Sequence, residues 1–183
     1  MSRQAEALVV IGVGNVLLGD DAAGVRTIEA LEAAAQADPG ILPPGTRLVD
    51  GGTLGLELLG TVRGSRGLVL VDAIRLGGSA GEVRTLAAEE VDAVGGAPDG
   101  GAGTAVGELL SMARLMGWLP TEVALVGIEV GDLDVGLRLS PEVADAIPVA
   151  VSTVRRELRR MDRPFGNETH GGGATRPTQG AIA

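Results

Sequence analysis

Lysine, cysteine and tyrosine are absent from this 183-residue chain, histidine occurs once, at His170, and the only aromatics are Trp118 and Phe165. Each absence removes a class of chemistry. Without lysine there is no Walker-type phosphate loop, no Schiff base and no receiver-domain lysine. Without cysteine there is no thiol nucleophile, disulfide, zinc ribbon or iron–sulfur ligand set, which fits a cytoplasmic protein. All fifteen basic residues are arginine, and 24 acidic ones bring the formal net charge to -9. So acidic a chain lacks the basic footprint of a nucleic-acid binder, and two aromatics offer no stacking platform for single strands. The opening apolar run is too short to span a membrane and leads into a glycine turn rather than a cleavage site. Neither nucleic acid nor membrane is expected as a partner.

What is present is material for a core. Hydrophobic residues make up 45% of the chain, mostly Ala, Val and Leu. At roughly 100–200 residues per domain, one domain is expected. Residues 7–13 (ALVVIGV) form a continuous apolar run, as in a central parallel strand. Asp20 or Asp21 reads as the N-cap of a helix over residues 22–35, with Val25, Ile28 and Leu31 on one face. Pro43-Pro44-Gly45 breaks the chain before a strand at residues 47–49, which runs into Asp50-Gly51-Gly52. Residues 53–62 resemble a short helix, and residues 67–71 (GLVLV) a buried strand ending at Asp72. A strand is expected over 82–86, with an acidic segment after it, then a loose loop over Gly95–Gly103. A helix over 104–116 and a strand over 122–129 follow, and Ser140-Pro141 opens a helix reaching about Met161. Residues 1–162 are read as one α/β domain and residues 163–183 as a disordered Gly-, Thr- and Pro-rich tail. The alternation implies a three-layer α/β fold, a twisted and mostly parallel sheet with helices on both faces.

In such sheets ligands sit beyond the carboxyl ends of the strands. Three expected strands run into carboxylates there: Asp20 and Asp21 after the first, Asp50 after the second, Asp72 after the third. Singly, each is a cap or a turn residue. Together they repel one another unless a cation or a shared proton compensates, which points to a hard-cation or metal site. Gly12-Val13-Gly14 begins like a dinucleotide fingerprint, but the third glycine position is Leu17 and two aspartates follow. No nucleotide cofactor is expected.

The segment from Gly12 to Val25 (GVGNVLLGDDAAGV) resembles the opening motif of the hydrogenase maturation endopeptidases. Val49–Leu59 (VDGGTLGLELL) is similar to that family's second signature, Val69–Ile74 (VLVDAI) to its third, and Gly127-Ile128-Glu129 with Gly136–Pro141 to its C-terminal part. The resemblance spans roughly residues 8–160. It implies an endopeptidase that removes a C-terminal extension from the large-subunit precursor of a NiFe hydrogenase after nickel insertion. It further implies a nickel-sensing site with an acid from the first motif, an Asp from the third and a His before a later helix. The first two carry over to Asp21 and Asp72, as metal contacts and catalytic groups. Asn15, Asp50, Gly51, Gly52 and Thr53 then line the substrate cleft. The nickel is expected to be the substrate's own rather than a resident ion.

The histidine does not carry over. Its place falls at or near Ala102, and residues 1–169 contain no histidine. Imidazole is a preferred nickel ligand, whereas two carboxylates make a weak, hard site. Asp99 or Thr104 could complete the site, two carboxylates could suffice for a metal already held by the substrate, or His170 could reach back from the tail. The alternative is a non-cleaving assembly chaperone that binds the same large subunit.

Overall fold

The computed structural model describes residues 7–94, 104–131 and 133–163. Five strands form one sheet: β1 (Leu8–Val13), β2 (Arg47–Gly52), β3 (Gly67–Ile74), β4 (Val83–Ala87) and β5 (Glu122–Glu129), in the order β2-β1-β3-β5-β4. The first three and β5 are mutually parallel, and β4 runs antiparallel along the edge of β5. Every residue of β1 and β3 is buried, because helices cover both faces.

Side chains alternate between the faces of a strand, and the two halves of the core follow that alternation. Leu8, Val10, Val69, Val71, Val126 and Ile128 meet α1 (Ala23–Ala37) and α5 (Pro141–Met161). Val9, Ile11, Val13, Leu68, Leu70 and Leu125 meet α2 (Leu59–Val62), α3 (Ala88–Val94) and α4 (Thr104–Leu115). The expected three-layer architecture is therefore the observed one. Full burial of each such side chain favours folding by about 1.5–3 kcal/mol, so the sheet centre anchors everything at its rim.

Several boundaries differ from the expectation. Asp20 and Asp21 cap no helix; both lie in a 3-10 turn, Gly19–Ala22, and α1 begins after it with no side-chain cap. β2 extends through Gly52, because a bulge absorbs the extra residue: Gly12 pairs with Asp50 and Val13 with Gly52. β3 continues to Ile74, so Asp72 sits inside the strand, opposite Gly127 of β5. The acidic segment after β4 is α3, whose first turn carries Glu89 and Glu90, a favourable place for negative charge. Only the latter part of 53–62 is helical: a 3-10 turn at Leu56–Leu58 leads into α2. The loop Gly95–Gly103 and the tail from residue 164 lie outside the described residues.

Candidate active site

β1 is the topological switch point of the sheet. From it the chain moves first to β2 on one side and later to β3 on the other, which opens a crevice at the carboxyl edge. The loop after β1 enters that crevice. Asn15 makes an Asx turn, its Oδ1 accepting the Leu17 N–H at 3.0 Å. The backbone N–H of Asn15 donates to Asp21 Oδ2 at 2.7 Å. Asp21 is thereby held facing back over its own loop, half-buried. Gly14 adopts a φ of 137°, and a Cβ there would run into the Asp21 carbonyl oxygen. The tightness of this loop is what brings Asp21 back over the end of β1.

The same loop is tied to β2. Gly14 N–H donates to Gly52 O at 2.8 Å. Asp50 is exposed, its Oδ1 accepting from Gly52 N at 2.9 Å. Gly51 is buried, and a Cβ there would crowd Ile11 and Leu58 at 2.9 and 3.1 Å. Gly51 thus packs the bulge, Gly52 faces the first loop through its carbonyl, and Thr53 lies exposed beyond them.

Asp72 is 4% exposed. The 3-10 turn bearing Asp21 packs against its strand, and α1 approaches the same point: a Cβ on Gly24 would strike the carbonyl oxygens of Val13 and Val71. The structure therefore brings Asp21, Asp50 and Asp72 to one edge. Asp72 lies in the parity of Leu70 and Ile74, toward α4, whereas Asp50 lies in the parity of Leu48, toward α1. Among the described residues, no group of three His, Cys, Asp or Glu side chains could enclose a metal ion. Ala102, Asp99 and His170 lie outside the described residues; Thr104 opens α4.

Two carboxylates at this rim have structural duties that local sequence did not reveal. Asp20 is wholly buried and accepts from Ser140 N at 2.6 Å, Ser140 Oγ at 2.9 Å and Gly131 N at 3.0 Å. Glu129, at the end of β5 and 3% exposed, accepts from Leu76 N and Gly77 N, each at 2.9 Å, and so fixes the turn after β3. The sequence signal available for Glu129 was its place at a strand end. An open hollow of about 550 Å³ lies at the other end of the sheet, between Ala87, Leu119, Glu122 and Arg160, away from these carboxylates.

The hydrogenase maturation protease model (HycI) matches residues 25–157. The chain is 37% identical over 153 residues to the hydrogenase 2 maturation protease of Escherichia coli K12, covering 83% of this chain and 90% of that one. It is 36% identical over 156 residues to the hydrogenase expression/formation protein HupD of Rhodobacter capsulatus, covering 84% of this chain and 72% of that one. The structure of the hydrogenase maturating endopeptidase HybD from E. coli superposes with a TM-score of 0.76 at 34% identity, over 85% of this chain and 94% of that one. Sequence and fold agree over most of the length, and the chain belongs to the hydrogenase maturation protease family.

Proposed function

We propose that this protein is the endopeptidase that trims the C-terminal extension from a NiFe hydrogenase large-subunit precursor once nickel is in place. The observation that carries the reading is the pair Asp21 and Asp72 at the switch point of a maturation-protease fold, Asp72 within β3 and Asp21 in the 3-10 turn that packs against that strand. Nickel belongs to the substrate in this reading. Asp21 and Asp72 offer it oxygen donors, and two such donors are too few and too hard to strip it from its own ligands. The pair therefore senses a metal without taking it.

Peptide hydrolysis joins a water oxygen to the scissile carbonyl carbon, breaks the C–N bond and delivers the water's proton to the departing amine. A carboxylate at the edge of the cleft takes that proton and returns it, as a general base and then acid. Asp21 suits this role: Oδ2 is fixed by the Asn15 N–H while the side chain stays half open to solvent. Asn15, Asp50 and Thr53, with the backbone of Gly51 and Gly52, border the path of the extended peptide. Exposed apolar side chains on the same rim (Leu17, Leu54, Val135 and Leu137) suit a protein partner rather than a small solute. No helix among the described residues is long and apolar enough to cross a membrane. A chain without cysteine is in keeping with a reaction in the cytoplasm.

The test is intact mass spectrometry of a nickel-loaded precursor before and after incubation with the protein. The expected outcome is a discrete loss of a C-terminal peptide, abolished by Asp21→Asn and by Asp72→Asn. An unchanged precursor mass in an isolable complex would leave a non-cleaving binder instead.

A further inference from the structure

Asp20 and Asp21 are neighbours with opposite surroundings. Asp21 is half-buried at the crevice, whereas Asp20 is wholly buried on the other side of the 3-10 turn. The Asp20 carboxylate collects donors from both ends of the connection between β5 and α5. Gly131, just past the end of β5, gives its N–H to Oδ2; Ser140, the N-cap of α5, gives its N–H to Oδ1 and its hydroxyl to Oδ2. The three bonds are 2.6–3.0 Å long, so the carboxylate is held from both of its oxygens. The middle of the same connection pairs with the residues before Asp20: Gly19 N–H donates to Gly136 O and Gly136 N–H to Leu17 O, each at 2.9 Å. The turn that presents Asp21 is thus clamped by one segment, through backbone on one side and the Asp20 carboxylate on the other.

We propose that Asp20 is a positioning residue for the cleavage reaction: by clasping Gly131 and Ser140 it sets where the Asp21 carboxylate stands. This rests on the reading of Asp21 as a catalytic group. A purely structural Asp20 would lower stability and leave the chemistry of the surviving folded molecules unchanged. A positioning Asp20 lowers kcat in molecules that remain folded, because small misplacements of a reacting group are costly. Asp20→Asn puts an amide N–H where an oxygen now accepts, so at least one donor loses its partner. Ser140→Ala removes the hydroxyl donor to Asp20 together with the cap that accepts from Val143 N, and Ser140→Thr keeps a hydroxyl for both.

The experiment follows Asp20→Asn, Ser140→Ala and Ser140→Thr in the full chain, with three readouts: the urea midpoint, kcat and KM from intact-mass time courses on nickel-loaded precursor, and the amide resonance of Asn15. That amide reports the Asn15–Asp21 hydrogen bond independently of any substrate. Expected is a kcat lowered about tenfold or more in Asp20→Asn and less in Ser140→Ala, with KM nearly unchanged. The Asn15 amide should move toward its position in Asp21→Ala, and Ser140→Thr should restore both. A lowered midpoint with kcat and the Asn15 amide unmoved would overturn the proposal. If Asp20→Asn does not fold, Ser140→Ala decides by the same two readouts. If the unsubstituted protein leaves the precursor uncut, the proposed function fails, and the Asn15 amide alone decides whether Asp20 positions Asp21.

Discussion

Gly14 shows how closely single atoms are constrained at this site. Its φ of 137° lies where residues with a Cβ are strained, and the added carbon would run into the Asp21 carbonyl oxygen. Gly14→Ala is expected to destabilise the fold by about 1–3 kcal/mol, read as a lower urea midpoint. It should also disturb Asp21, since the Asn15 N–H that holds Oδ2 is the next donor along the chain. Gly12 and Gly24 are constrained differently: a Cβ on Gly12 would meet the Gly24 carbonyl, and one on Gly24 the carbonyls of Val13 and Val71. The glycine-rich opening that began like a nucleotide fingerprint thus serves close packing of α1 on β1 and β3. Asp20 and Asp21 make the same point about acids. Nothing in the string Gly-Asp-Asp-Ala says which carboxylate is buried, since the donors to Asp20 lie 111 and 120 residues away.

At the scale of elements, α5 is the most legible part of the molecule. Ser140 and Pro141 mark its start, Ser140 Oγ accepts from Val143 N, and arginines Arg159 and Arg160 close it where the helix dipole is negative. Its internal Pro148 breaks the pattern. The ring removes an N–H from the helical ladder, and the residue stays exposed, so its surroundings do not require it. Pro148→Ala is expected to raise stability by about 1–3 kcal/mol, read as a higher urea midpoint with unchanged kcat. β4 and α3 were less legible. An isolated five-residue strand does not reveal its direction; β4 runs antiparallel because a short turn returns the chain beside the end of β5, with Gly81 N–H donating to Glu129 O at 2.8 Å.

For the whole molecule, the carboxyl edge of the sheet differs from its other surfaces. Three loops meet there, after β1, after β2 and after β5, stitched together by the Gly14–Gly52 and Leu17–Gly136 backbone bonds. Each leaves large apolar side chains in solvent; Val135 is 89% exposed and Leu137 66%. Val135→Asp combined with Leu137→Asp is expected to raise KM for the precursor about tenfold or more, as losses of well-packed apolar anchors do at interfaces. The urea midpoint should stay nearly unchanged, because neither side chain contributes to the core. A binding titration against precursor and an unfolding curve check the two halves of that expectation.

The succession of strands and helices was legible in the amino-acid order alone, which set it through continuous apolar runs and amphipathic periods, both local properties of the chain. The same order also determined the acidic chemistry at the strand ends, and the want of cysteine and of histidine before residue 170. The family motifs carried the function, since their residues recur in order along most of the domain. That Asp72 lies within β3, that Gly51 fills a bulge, and that Asp20 clasps the far connection while Asp21 meets the crevice follows only from the assembled sheet. The difference is one of range. Apolar period and turn chemistry act over a few residues, whereas burial and hydrogen bonding of a carboxylate depend on donors that the sheet brings together from distant parts of the chain.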